Sequence, residues 1–179
     1  MWRSFMSFFS RATTSSAPRP RLRIGAALWD ELLQKLRERG GNVRESGAFL
    51  LGTGSGAERT ASRIVLYDDL DPNCLNEGYV HFDGRYYGRL WELCAEASLS
   101  VVADVHTHPY GPGQSDSDKA HPMVSIPGHI ALIVPNYARE PVAPEDVGVY
   151  VYRGRYRWTP YRGRRAATVL EIQSEEEIQ

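Results

Sequence analysis

The chain has 179 residues, of which 42% are hydrophobic and 24% charged, and its formal net charge is −1. This length allows a substantial core without disulfide bonds, and it excludes a (β/α)₈ barrel, which needs roughly 250 residues. No run approaches the roughly 18 apolar residues of a membrane span, and the two cysteines are too far apart for a C-x-x-C metal motif. We therefore expect a cytoplasmic protein without a membrane span.

The predicted elements begin after a basic segment. Residues 1–23 are rich in Arg, Ser and Pro and contain no acidic residue, so we expect a flexible N-terminal arm. Apolar residues then recur at helical spacing over 28–36 and stop at Gly40, which predicts a first helix. A short apolar run at 48–51 predicts a buried strand, and 63–67 predicts a second one.

Helices and strands continue to alternate in the second half of the chain. A polar loop at 68–78 precedes a predicted amphipathic helix at 87–97. Strands are predicted at 99–105 and 130–134, followed by a hairpin with Gly154 in its turn. The alternation is irregular and shows no internal repeat. We therefore predict one α/β (α+β) domain, with a central mixed curved β-sheet flanked by two main helices.

Charge is distributed unevenly along the sequence. The first 25 residues contain five arginines and no acid, residues 150–167 contain six more, and the last nine residues contain four glutamates. We place the domain over 24–170 and an acidic tail at 171–179. Arginines interleaved with aromatic residues could bind nucleic acid, but solvated faces and cross-strand pairs explain them equally well. We expect no obligatory nucleic-acid partner.

The segment Asp104 to Pro109 points to metal chemistry. Alternate side chains of a strand share one face, so His106 and His108 are expected side by side. Two imidazoles at this spacing can hold one divalent ion, although such a pair can also be a polar surface feature. Pro109 ends the strand, which suits a strand that opens into a site.

A second pattern follows within a few residues. Ser115-x-x-Asp118 is typical of a helix start, with Ser115 as the N-cap and Asp118 in the first turn. By itself this is an ordinary helix cap. Here it would direct the Asp118 carboxylate back towards the histidine pair, and a catalytic zinc typically has three protein ligands. The two patterns together predict a metal site.

These residues resemble the JAMM (JAB/MPN-plus, Mov34/PAD-1-like) family of zinc metalloproteases. The match includes the His-x-His-Pro and Ser-x-x-Asp segments and an upstream glutamate, Glu45, before a glycine-containing apolar strand at 47–52. It extends over roughly 25–160 and implies a single JAB/MPN-type domain. The family pattern has six residues between Pro and Ser, whereas this chain has five, 110–114. If this chain lacks one residue of the family's loop, at its Gly-Pro-Gly segment, then Ser115 and Asp118 both align with the serine and aspartate of the family pattern.

The resemblance implies a role for each matched residue. The implied ligands of one Zn²⁺ per chain are His106, His108 and Asp118. Glu45 would take a proton from the metal-bound water and pass it to the leaving amine, and Ser115 would donate to the developing oxyanion. Asp104 shares the strand face of His106 and is expected either to orient a ligand imidazole or to form a structural salt bridge. The remaining histidines are expected to be structural.

The resemblance also implies a reaction. It is the hydrolysis of an amide or isopeptide bond after the C-terminal glycine of a ubiquitin-like protein, in maturation or deconjugation. The chain looks like the prokaryotic, deubiquitinase-like branch, whose members accompany activating (E1-like) and conjugating (E2-like) enzymes, some in antiphage defence. We expect the loop at 68–78 to form a wall of the substrate groove. The alternatives are a JAMM peptidase of sulfur-carrier processing and a non-catalytic MPN scaffold. An amidohydrolase-type barrel is disfavoured by the short chain after His108.

Overall fold

Runs of alternating or continuous apolar residues form the strands of the protein. The computed structural model describes residues 19–139 and 141–174, and within them it contains eight strands and four α-helices. The strands are β1 (Arg21–Gly25), β2 (Gly47–Ser55), β3 (Glu58–Leu66), β4 (Ser100–Thr107), β5 (Ile130–Val134), β6 (Gly148–Tyr152), β7 (Trp158–Tyr161) and β8 (Leu170–Gln173). The helices are α1 (Ala26–Gly40), α2 (Tyr67–Leu70), α3 (Tyr87–Ala97) and α4 (Asp116–Ala120).

The strands form one curled mixed sheet in the order β7-β6-β5-β4-β2-β3-β1-β8. Strand β2 is antiparallel to both β3 and β4, and β4 is parallel to β5. The series β5-β6-β7 is antiparallel, whereas β1 is parallel to β3 and β8. The α+β prediction with a mixed sheet is confirmed. Strand β4 lies near the middle of the sheet, where neighbours on both sides fix its register.

The two long helices cover opposite faces of the sheet. Alternation along β2 separates them: Leu50 packs in the cluster that contains Leu32 of α1, and Phe49 packs in the cluster that contains Leu90 of α3. Helix α1 ends as expected, because Gly41 adopts φ +57° and its N–H bonds to the Arg37 carbonyl. Both predicted flanking helices are thereby confirmed.

The sheet reaches beyond both domain boundaries expected from the sequence. Residues 21–23, expected in the flexible arm, lie in β1, and residues 171–173, expected in the acidic tail, lie in β8. The reason is that Leu22 and Ile24 are fully buried while β1 pairs with β3 and β8, a contact between distant parts of the chain. The rest of both predicted tails lies largely outside the described residues.

The segment after β3 differs slightly from its predicted structure. The predicted strand 63–67 ends one residue early, at Leu66, and the expected loop at 68–78 contains most of the short helix α2. Among the described residues, no helix is both long and apolar enough to cross a membrane.

The arginine-rich segment has roles inside the fold. Arg153, Arg162 and Arg165 contact side chains of β6 and β7 through hydrogen bonds or by stacking over a tyrosine ring. Half of the six arginines in this segment therefore support the β6–β7 hairpin. Their positions do not by themselves indicate nucleic-acid binding.

We expect two glycine substitutions to change stability in opposite directions. At Gly52, where the register of β2 against β3 shifts, an added Cβ would lie 1.9 Å from the Thr60 carbonyl oxygen. Gly52→Ala should therefore lower the free energy of unfolding by about 1–3 kcal/mol or more. Gly88 of α3 has open space around it, and Gly88→Ala should raise that free energy by about 0.5–1 kcal/mol.

Urea unfolding of both variants and the wild type measures these effects. Equal destabilisation by the two substitutions would contradict the packing described for β2 and β3.

Candidate metal centre

The centre begins at the C-terminal end of β4. Val105 packs in the α1 cluster, so His106 and His108 project from the opposite face, which carries α3. Both imidazoles are largely buried, with 8% and 9% of each residue exposed, and their Nε2 atoms are 3.0 Å apart. The pairing with β5 continues past the end of β4, because the His108 N–H bonds to the Val134 carbonyl at 2.9 Å. Two strand neighbours thus fix the histidine pair.

Helix α4 supplies the third group. The Ser115 hydroxyl accepts a hydrogen bond from the Asp118 N–H at 3.1 Å, and the Ser115 N–H donates to Asp118 Oδ2 at 2.6 Å. This capping box turns the carboxylate towards β4. Asp118 Oδ1 lies 3.5 Å from His106 Nε2, and Oδ2 lies 3.3 Å from His108 Nε2. The structure therefore brings the three expected ligands together.

The donor set and its spacing fit a divalent metal ion. The ligand atoms of His106, His108 and Asp118 all lie within 4.8 Å of one another. A tetrahedral ion with bonds of about 2.0–2.1 Å holds its ligands roughly 3.3 Å apart, close to the three separations in this cluster. Two imidazoles with one carboxylate, next to an open cleft, are a donor set that zinc commonly uses.

The charges of the cluster also favour a cation. Burial lowers the pKa of His106, but the hydrogen bond and charge of Asp118 outweigh it and raise that pKa above its usual value. Burial raises the pKa of Asp118, but its contacts with His106 and His108 outweigh this and hold the pKa well below its usual range. The carboxylate is therefore ionised at neutral pH. A metal ion must compete with a proton for His106, so binding weakens as the pH falls.

Glu45 lies immediately before β2 and beside the histidines. Its Oε1 is 3.8 Å from His108 Nε2, and its Oε2 accepts a hydrogen bond from the Val80 N–H at 3.3 Å. Its own N–H donates to the Gly78 carbonyl at 3.0 Å. The backbone around Gly78 and Val80 therefore holds the carboxylate at the edge of the cluster, close to the His108 imidazole.

Asp104 directs its hydrogen bonds away from the expected ligands. Its Oδ1 lies 2.5 Å from His129 Nε2, and its Oδ2 accepts from the Tyr67 hydroxyl at 3.4 Å. Among the described residues it makes no hydrogen bond to His106 or His108. It acts on His106 through its charge, which contributes to the raised pKa. The structure thus favours a structural role for Asp104, through its contact with His129, over the orienting role, and Tyr67 is a further partner that the sequence does not indicate.

A cleft of about 930 Å³ opens over the cluster, and Glu45, Ser115 and Asp118 line it. The loop at 68–78, which was expected to form a wall, is absent from the described lining. Residues 79–82, just after that loop, line the cleft instead, because the backbone before them is tied to Glu45. His81 is among them and lies outside any strand, and His121 also lines the cleft, so two of the three histidines expected to be structural face it, whereas His129 is buried against Asp104.

The comparisons with known proteins agree with a metal-dependent site. A 60-residue segment is 33% identical to the probable metalloprotease y4jG of Sinorhizobium fredii (strain NBRC 101917 / NGR234) and covers 34% of this chain and 37% of that protein. The fold is similar to the solution structure of protein DSY2949 from Desulfitobacterium hafniense, with a TM-score of 0.59 and 17% identity over 88% of this chain and 98% of that one. The second likeness concerns the fold alone. No protein-family model matches the chain.

We expect Asp118→Asn to weaken Zn²⁺ binding strongly, because it removes the negative charge that faces both imidazoles. The loss of affinity should exceed the roughly 10–100-fold that changes in outer hydrogen-bond partners produce. Asp116→Asn is the matched control, because Asp116 is on the same helix and its side chain is fully exposed. Isothermal titration with Zn²⁺ measures both. Similar losses in the two variants would contradict the assignment of Asp118.

Proposed function

We propose that this chain is a JAMM-type zinc metalloprotease that hydrolyses the bond after the C-terminal glycine of a ubiquitin-like protein. The observation that carries the proposal is the convergence of Glu45 with the three expected ligands at one open cleft, which Glu45, His106 and Asp118 line. The similarity to a probable metalloprotease supports peptide-bond hydrolysis. The more specific assignment to the JAMM family is supported by the His-x-His-Pro and Ser-x-x-Asp segments and the position of Glu45.

The metal ion would be held by His106, His108 and Asp118. A bound zinc ion lowers the pKa of a water molecule to about 7 and polarises a carbonyl oxygen. The neighbouring residues determine what becomes of the proton and of the substrate charge. Two neutral imidazoles and one carboxylate leave a net positive charge on such a site, which favours an electron-rich carbonyl.

We assign Glu45 the role of general base. Its Oε1 lies 3.8 Å from His108 Nε2, so a water molecule bound near the imidazoles is within hydrogen-bond reach of the carboxylate. The Val80 N–H holds the other oxygen and limits rotation of the group. The carboxylate takes the proton of the attacking water and then delivers it to the nitrogen of the leaving amine.

We assign Ser115 the role of stabilising the oxyanion. Its Oγ accepts a hydrogen bond from the Asp118 N–H, so its lone pairs are partly used. Among the described residues, the hydroxyl donates to no acceptor, and its proton is available to the cleft that Ser115 lines. A donor held at that position lowers the energy of the transition state more than that of the bound substrate.

The ubiquitin-like substrate is inferred separately from the metal chemistry. It rests on the resemblance, together with a cleft open enough for an extended chain. The E1-like and E2-like enzymes of such a pathway would be the associated partners. Processing of a sulfur-carrier protein uses the same residues and is the principal alternative. A non-catalytic MPN scaffold is disfavoured because such scaffolds usually lack the metal residues, which this chain has.

We expect Glu45→Gln to retain zinc and to lose cleavage. The amide keeps the size of the side chain but cannot accept the proton of water, so kcat should fall by about 10²–10⁴-fold. Reporter fusions to the C-termini of ubiquitin and of a bacterial sulfur-carrier protein serve as the two substrates. Glu92→Gln, an exposed change on α3, is the control.

Cleavage of the two fusions tests the substrate class, the peptidase activity and the role of Glu45 separately. Preference between the fusions distinguishes the two substrate classes. If zinc-loaded wild type cleaves neither fusion, the peptidase proposal for these substrates fails. Wild-type rates in Glu45→Gln would instead remove Glu45 from the mechanism.

A further inference from the structure

The Gly-Pro-Gly loop that precedes α4 lies directly on β6. A Cβ added at Gly148, the first residue of β6, would be only 2.0 Å from the Pro112 carbonyl oxygen. Glycine is therefore required there for the loop to approach the sheet so closely. The loop passes over the same strand that contains Tyr150, two residues further on.

The Tyr150 hydroxyl holds this loop on both sides of Gly113. It donates to the Pro112 carbonyl at 2.7 Å and accepts from the Gln114 N–H at 3.2 Å. Gln114 is the residue immediately before Ser115. The anchor therefore acts on the last residues that lead into the capping box of α4.

Arg162 fixes the direction of the Tyr150 hydroxyl. Its guanidinium donates to the phenolic oxygen from Nε at 3.0 Å and from Nη2 at 2.8 Å. Neither a guanidinium nor the Gln114 N–H can accept a hydrogen bond. The Tyr150 proton must therefore point to the Pro112 carbonyl, the remaining partner, so the whole network has a single orientation.

The Tyr150 ring is a rigid support for its hydroxyl. Only 2% of Tyr150 is exposed, and the ring packs in a cluster with Ala131 and Ile133 of β5. In the sheet register, Ala131 pairs with both Asp104 and Tyr150, and Ile133 pairs with His106. The tyrosine is thus positioned by the same strand pairing that positions the histidine ligands.

Helix α4 needs such an anchor because it has little packing of its own. It has five residues, and none of them is buried. At its C-terminal end, the Trp158 Nε1–H donates to the Lys119 carbonyl at 3.2 Å. At its N-terminal end, the restraint on the loop comes from Tyr150. The β6–β7 hairpin therefore supports α4 at both ends.

We propose that Tyr150, oriented by Arg162, is a positioning residue that sets the distance between Asp118 and the two histidines. This inference rests on the proposed function, because it assumes that Asp118 is a metal ligand. The loop is one residue shorter than the family pattern, and it contains two glycines, which leave the unanchored backbone many conformations. Anchoring it on β6 removes that freedom before the metal binds.

Tyr150→Phe tests the anchor, since it removes the hydroxyl and retains the ring. We expect Zn²⁺ affinity to fall about 10–100-fold, the range found for outer partners of metal ligands. At saturating zinc, kcat on the reporter fusion should fall while KM stays near the wild-type value, because Ser115 is displaced and Tyr150 does not line the cleft.

Tyr161→Phe is the matched control. Tyr161 is a buried tyrosine on the neighbouring strand β7, and its hydroxyl makes no hydrogen bond with the described residues. This variant should bind zinc as the wild type does. Wild-type zinc affinity in Tyr150→Phe would overturn the inference.

Arg162→Ala keeps the test independent of folding, because Arg162 is exposed. It should lower Zn²⁺ affinity in the same direction by roughly 3–10-fold, a smaller effect because Tyr150 keeps both bonds to the loop. If Tyr150→Phe does not fold, unchanged zinc affinity in Arg162→Ala overturns the inference. A wild-type chain that binds no zinc would instead refute the proposed function.

Discussion

The site depends on one contact, that of the Asp118 carboxylate with the imidazoles of His106 and His108. Each carboxylate oxygen faces a different Nε2 atom, at 3.5 and 3.3 Å. One negative group between two largely buried imidazoles offsets the cost of placing a positive charge there. Two other features maintain this contact. The pairing of β4 with its neighbouring strands fixes the histidines, and the capping box of α4 directs the aspartate.

The two halves of the site differ in how they are held. The histidines lie on a central strand with neighbours on both sides, whereas Asp118 lies on a short exposed helix reached through a glycine-rich loop. The first half is rigid because of the sheet itself. The second half is held by a few hydrogen bonds from Tyr150 and Trp158. Sequence changes in the β6–β7 hairpin should therefore affect the metal site without touching it.

Local patterns were sufficient for much of the prediction. The spacing of His106 and His108, the N-cap Ser115 and the end of α1 near Gly40 are determined by residues close in sequence. Contacts between residues far apart in the chain could not be inferred from the sequence. The pairing of β1 with β8 joins residues about 148 positions apart, and it moved both domain boundaries. The Asp104–His129 pair, the cleft wall at 79–82 and the role of Tyr150 likewise depend on strand order, which one sequence does not specify.

Anomalous diffraction at the zinc edge, from crystals of the zinc-loaded chain, tests the central claim most directly. The account predicts one strong peak, bounded by the Nε2 atoms of His106 and His108 and the carboxylate of Asp118, with Glu45 near it but not bound. The same experiment on Tyr150→Phe crystals would show how far Asp118 moves. A peak elsewhere, or no peak in crystals of fully folded protein soaked in zinc, would contradict the account.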